Sequence, residues 1–199
     1  TAPSNDGFKT GMLTNYADNI IIPSYTDLII KLTALETQVN RFLDQPSAGT
    51  LETIKPAFKD AYLSYENTSA AYFGPAGALL LNNYLNTFPA VPGKIEQAIT
   101  SGNYNLELPV VNDSIQGFPT LDYLLFAPNA VEKFSGIGAV ARKKYVRDVL
   151  TRMKGLVANA NTQWKGTYRT TFINSLKTDV GSSIGYLVNQ LAYEMDVMK

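Results

Sequence analysis

The chain has 199 residues, 45% of them apolar, and its 17 Lys and Arg balance 17 Asp and Glu. That length suits one large domain or two small ones, and the neutral balance gives no global field to attract nucleic acid or an anionic membrane. Histidine and cysteine are both absent. This excludes disulfides, thiolate metal sites, cysteine nucleophiles and the commonest zinc ligand, and leaves Asp, Glu, Lys, Tyr, Ser or a recruited cofactor for any chemistry.

Residues 1–7, beginning TAPSND, are small, polar and proline-containing and read as a flexible tether. From residue 8 to residue 199 one pattern recurs four times. Ile21, Tyr25, Leu28, Leu32, Leu35, Val39 and Phe42 step by four and three in turn. Ile54, Phe58, Ala61, Tyr65, Thr68 and Tyr72 do the same, as do Val146, Leu150, Met153, Val157, Ala160 and Trp164. The fourth series is Val180, Ile184, Leu187, Leu191, Met195 and Met198. Such spacing lays an apolar stripe along one helix face, near the repeat of helices packed at about 20°. Four stripes of similar length predict an all-α protein, a four-helix bundle of the up-down type. No stretch alternates with period two, so no sheet is expected.

Punctuation sets the expected boundaries. The first helix should run from Phe8 to Leu43, kinked or restarted at Pro23. The second should start with Thr50 as N-cap, or at Thr53 because of Pro56, and close at Gly74-Pro75. The third should begin near Gly138, and the fourth near Thr178 or Asp179 after a Gly166–Lys177 connection. The basic cluster Arg142, Lys143, Lys144 and Arg147 reads as a solvated face. Residues 74–136 form a proline-rich insertion between helices two and three, with short helices expected at Ala76–Leu85, Pro92–Ile99 and Pro119–Phe126. An insertion longer than a connection needs is where sites tend to sit, although long crossovers also occur in bundles. The final YEMDVMK contains no helix stop signal.

Within the insertion lies QGFPTLDYLLF, Gln116–Phe126. Pro119 suits the first turn of a helix, and Asp122 is expected in that turn, where the helix dipole favours a carboxylate. The run after it is apolar enough to be buried. Such an element is either a well-capped piece of core or the wall of a site. Asp122, joined by Glu66 and by Tyr62 or Tyr65, is a weak metal or anion site; the competing reading has Asp122 capping backbone N–H groups and Glu66 on a wet face. Asp113 with Asp122 or Glu66 is a candidate acid–base pair, although sequence shows neither distance nor environment. Twelve tyrosines also suggest a binding surface, with Tyr62, one step off its stripe, as the best placed. A serine nucleophile has no support, since Gly-x-Ser-x-Gly is absent and no histidine exists to activate one.

QGFPTLDYLLF resembles the central motif of the imelysin-like family of bacterial cell-envelope proteins, Gly-x-His-x-x-Glu followed by an apolar run. NTFP at Asn86–Pro89, KIEQAI at Lys94–Ile99 and AYLSYENTSAAYFGP at Ala61–Pro75 resemble the family in the same order. Gly117 matches the motif, while Pro119 stands where the family has His and Asp122 where it has Glu. The family's other signature helix carries charged groups where Tyr62, Ser69 and Tyr72 stand here. The resemblance implies the first half of an imelysin-like fold, with a second helical half beyond this sequence and a cleft between the two. It implies a non-catalytic binding protein linked to iron or haem uptake, located in the periplasm or held to the outer membrane by a lipid anchor. The alternatives are a metal-dependent peptidase of the imelysin type and a structural surface module whose site has decayed. The ligand-binding positions would be Gly117, Pro119, Asp122, Tyr123, Glu66 and Tyr62. Asp122 and Glu66 would be the candidates for iron or another divalent cation, and the partner a small ligand or an envelope protein.

Overall fold

The computed structural model describes residues 5–108 and 113–197, and every regular element among them is helical. The tether expected at 1–7 falls partly on residues 1–4, outside the described residues; the first helix already begins at Asp6. It runs as α1 (Asp6–Asn15), a π-helical stretch (Tyr16–Ile21) and α2 (Ile22–Asp44) without a break. Pro23 accounts for the π stretch. Its ring has no N–H to donate and would collide with the carbonyl four residues earlier, and a widened turn just before it removes the conflict. The apolar line from Leu13 through Ala17, Ile21 and Tyr25 stays buried across this join.

The second helix, α3 (Ala48–Glu66), is capped by Ser47 rather than Thr50. The Ser47 hydroxyl accepts from the Thr50 N–H at 3.1 Å, and the Thr50 hydroxyl accepts from the Ser47 N–H at 3.1 Å, a reciprocal box. Pro56 is exposed inside this helix, where its ring faces solvent. The insertion folds into α4 (Pro75–Ala78), α5 (Leu81–Asn86), α6 (Pro92–Ser101), α7 (Gly117–Phe126) and α8 (Ala130–Ser135). The helix expected at Ala76–Leu85 is thus split, because Leu80 between the two pieces has φ +50°. The third long helix, α9 (Ala139–Lys165), starts after Gly138 as expected. The connection that follows contains a helix of its own, α10 (Thr167–Asn174), and α11 spans Ser183–Val197.

The core is built where the first three stripes meet. Tyr25, Leu28, Leu32, Leu35, Val39 and Phe42 on α2 are fully buried, as is the whole α9 stripe from Val146 to Trp164. Helix α2 lies between α3 and α9 and packs along both. The α7 helix is clamped between α5 and α9 by Leu121, Leu124 and Leu125. Two ion pairs among the described residues lock α2 to α9: Lys154 to Glu36, and Arg147 to Asp44 at 2.8 Å.

The fourth stripe behaves differently. Leu187 is buried, but Val180, Leu191 and Met195 are exposed, and Met198 lies outside the described residues. Helix α11 starts four residues later than expected because a turn from Asp179 to Ser182 precedes it. Gly185 presses against the Asp179 carbonyl so closely that a Cβ there would sit 2.1 Å from its oxygen. The helix is therefore docked at its first turns, where Tyr186 stacks on Phe73, and its apolar stripe runs on without a covering helix among the described residues. No described helix is long and apolar enough to cross a membrane.

Candidate functional site

The central motif becomes α7, and its first residue explains its glycine. Gln116 is extended and its amide donates to the Leu106 carbonyl at 3.0 Å. Gly117 then takes φ +81°, a region that residues with a Cβ rarely enter. A Cβ on it would lie 2.4 Å from the Leu85 carbonyl oxygen. Gly117 is thus buried behind the site, where it lets α7 start hard against the end of α5. Pro119 is the third helical residue, and its missing N–H is one that would have no intrahelical partner.

Asp122 does not lie in the first turn as expected. With α7 starting at Gly117 it is the sixth residue, and the helix has no side-chain cap. The sequence reading placed the helix start at Pro119; the observed start is two residues earlier, at Gly117. Asp122 makes no hydrogen bond or ion pair with any described residue. The residue is exposed as a whole, yet one side of its carboxyl is stripped of water by the neighbouring apolar wall, which raises its pKa above the ordinary value.

That wall encloses a cleft of about 570 Å³ between α3, α7 and the segment after α5. Pro119, Asp122, Tyr123 and Tyr62 all line it, so four of the six sequence-predicted positions come together. Phe118 forms the floor, edge-on to Phe58 at 5.7 Å and to Tyr62 at 5.2 Å. Phe126 packs edge-on to Phe58 at 5.3 Å, and Phe88 stands at the lip, 84% exposed. Glu66 is exposed one turn beyond Tyr62 and lines an adjoining, more polar pocket of about 380 Å³ with Glu194 and Tyr72. Asn86 lines both pockets and donates to the Tyr62 hydroxyl at 3.2 Å.

The two tyrosines of the cleft are held by different partners. Burial raises the pKa of Tyr62, against the Asn86 hydrogen bond that would lower it. Tyr123 donates to Glu96 on α6 at 2.9 Å, and Glu96 also accepts from Arg142 on α9. Burial would raise the Glu96 pKa, but the Arg142 guanidinium and the Tyr123 hydroxyl hold it below the usual range. Arg142 is therefore no part of a solvated basic face: only 11% of its side chain is exposed. Its neighbours Lys144 and Arg147 pair with Asp148 and Asp44.

Sequence reasoning missed the asparagines of α5. Tyr62 pairs with Asn86, Tyr65 donates to Asn82, and Tyr72 donates to Asn83 at 3.4 Å. The signal was present as NNYLN, three amides crowded into a short apolar helix that they do not favour. Asp113 does not join the cleft; its carboxylate accepts the Ser114 N–H at 2.8 Å, so the proposed carboxylate pairs are not assembled. Among the described residues no three His, Cys, Asp or Glu side chains stand close enough to hold a metal ion. Glu66 and Asp122 lie in different pockets: Asp122 is the single carboxylate of its own, and Glu66 is joined in its pocket by Glu194.

The imelysin family model, peptidase family M75, matches residues 21–199. The chain belongs to the imelysin family. Iron-regulated protein A of Synechococcus elongatus is 27% identical over 126 residues, which are 61% of this chain and 34% of that protein. The crystal structure of an imelysin-like protein from Psychrobacter arcticum 273-4 superposes with a TM-score of 0.79 at 18% identity. It covers 98% of this chain, which in turn covers 62% of it. An iron-regulated protein A precursor from Parabacteroides distasonis ATCC 8503 gives 0.71 at 23% identity, covering 96% of this chain and 56% of that one. At these identities the two structures show the imelysin fold, and the chain spans less than two thirds of each relative's length. The helix bearing Pro119 and Asp122 thus lies within the residues that the family model matches.

Proposed function

We propose that this imelysin-family chain is a non-catalytic binding protein of the bacterial cell envelope that serves iron or haem uptake. Its ligand would sit in the aromatic cleft between α3 and α7. The observation that carries this reading is the cleft itself: Pro119 and Asp122, which stand where the motif that this stretch resembles has His and Glu, both line a cleft walled by Phe58, Phe118 and Phe126. A pocket of that size, mostly apolar with a few polar groups at its rim, fits a small ligand. Phe118 and Tyr62 hold the walls by edge-to-face packing, so the cleft is largely preformed. The link to iron is supported by the relatives named as iron-regulated proteins. The envelope location is supported by the resemblance of four separate stretches to a family of envelope proteins.

Nothing in the cleft favours the peptidase reading. Its lining offers one carboxylate and no imidazole, whereas a metal-activated water needs several ligands and a base. Titration of a small aromatic fragment library, followed by amide NMR, tests the binding reading. Shifts should cluster on α7 and residues 86–92 and should weaken in Phe88→Ser, which removes an exposed ring that carries little of the fold. Shifts scattered over the surface would overturn it. The iron link is tested by protein abundance in the native bacterium with and without an iron chelator; an abundance indifferent to iron would remove that part.

A further inference from the structure

The lining of the cleft has one sign of charge. Asp122 is its single carboxylate, and neither Lys nor Arg lines it. The adjoining pocket, which shares Asn86, repeats the pattern with Glu66 and Glu194 and again no basic side chain. This is unexpected in a chain with equal numbers of both charges, whose other cross-linking carboxylates have found cations. Asp18 is gripped by Arg169, Glu36 by Lys154, Asp44 by Arg147 and Glu96 by Arg142. Two cations stand near the site outside its lining: Arg142 is committed to Glu96 behind Tyr123, and the Lys133 ammonium lies over the Tyr123 ring, 6.0 Å from its centroid.

From this we infer that the cleft takes a cationic amphiphile: an apolar body seated among Phe58, Phe118 and Phe126, with one amine or guanidinium head on Asp122. The inference rests on the reading of the cleft as a binding site and narrows it: this lining selects neither a bare ion nor a carboxylate-bearing haem, so the link to iron would lie in when the protein is made rather than in what this cleft holds. Three physical points lead to it. A carboxylate set against an apolar wall without a partner is costly, and a ligand cation removes that cost. Aromatic faces beside the carboxylate attract the same head through their quadrupoles. An anionic ligand would instead meet Asp122 in the cleft and Glu66 and Glu194 beyond it. A bare metal ion would find a single carboxylate among carbon atoms, too few ligands to replace its water. The raised pKa of Asp122, from loss of water alone with no cation contributing, agrees with a partner position left open.

Three probes with one apolar body and different heads decide the matter: 4-phenylbutylamine, 4-phenylbutanol and 4-phenylbutyrate. Each is titrated at neutral pH into the parent and into Asp122→Asn, and amide shifts on α7 give the dissociation constants. The amine should bind about tenfold more tightly than the alcohol, the scale of one charge-assisted hydrogen bond, and the butyrate more weakly than either. Asp122→Asn should bring amine and alcohol within about twofold of each other. Because Asp122 has no partner among the described residues, the variant should be at least as stable as the parent, so a lost preference will not reflect unfolding. Equal affinities for the three probes, or a preference that survives Asp122→Asn, would overturn the charge selection and leave the cleft as a binding site. No shift on α7 from any of the three would overturn the binding reading together with it.

Discussion

Two residues of α7 bear the physics of the motif, in opposite ways. Gly117 is essential to position and remote from any ligand. An alanine there would have to hold φ +81° with its Cβ inside contact distance of the Leu85 carbonyl. Gly117→Ala should therefore cost roughly 2–5 kcal/mol, since backbone on both sides resists the shift. Chemical denaturation measures it, and a loss below about 0.5 kcal/mol would mean that α5 and α7 are not so closely apposed. Asp122 is dispensable to the fold. Its folded pKa lies above the ordinary 3.8, so between that value and its raised one the folded state holds more of the proton than the unfolded state does. Stability from this group thus falls as pH rises through that window, the reverse of a salt-bridged carboxylate. In melts from pH 4 to pH 7 the parent should lose stability relative to Asp122→Asn as pH rises, and the variant should equal or exceed the parent at pH 7. A variant less stable than the parent at pH 7 would mean that the carboxylate has a favourable partner in the fold.

Among the elements, the contrast between α9 and α11 is the most informative. Both carry the same four-three stripe, yet Leu150 on α9 is fully buried while Leu191 on α11 is 40% exposed. Leu150→Ala should cost about 2–5 kcal/mol, by lost transfer energy and the cavity left behind. Leu191→Ala should stay within about 0.5 kcal/mol, as for a surface site. Urea unfolding of the two variants makes the comparison, and equal losses would require α11 to be covered along its length. The first long helix shows a second lesson at this scale. Pro23 marked a discontinuity in the sequence, and the chain answered it with a π stretch that keeps the buried line intact. A proline read as a kink or restart was accommodated within one continuous helix because the packing on both sides outweighs one lost hydrogen bond.

For the whole molecule, the missing histidine decides what chemistry is open. A zinc peptidase needs typically three protein ligands and a base beside the bound water. The 199 residues contain neither His nor Cys, and among the described residues no three carboxylates gather into a possible metal site. The purified chain should therefore not hydrolyse casein with added zinc and should carry no stoichiometric zinc by elemental analysis. Cleavage that a chelator stops and Asp122→Asn abolishes would reverse this conclusion. The same dispersal takes up most of the basic cluster on α9: Arg142, Lys144 and Arg147 each have a carboxylate of this chain.

Much of this was legible in one dimension. The four-three spacing determined the helices, which face of each is apolar, and that no sheet competes, because side-chain periodicity is a local property of the backbone. The stretch from Gln116 to Phe126 marked the site, since glycine, proline and a carboxylate ahead of an apolar run restrict what the backbone can do. Other features had to wait for the fold. Periodicity shows that a face is apolar but not what covers it, so the exposure of α11 was invisible. The start of α7 depended on Gly117 meeting the α5 carbonyl, a contact between residues 32 positions apart, and it moved Asp122 out of the first turn. The sharing of Asn86 between two acidic pockets, its hydrogen bond to Tyr62, and the burial of Arg142 against Glu96 likewise join distant segments. Charge balance and spacing are sums along the chain; which carboxylate is left without a cation is decided only when the helices pack.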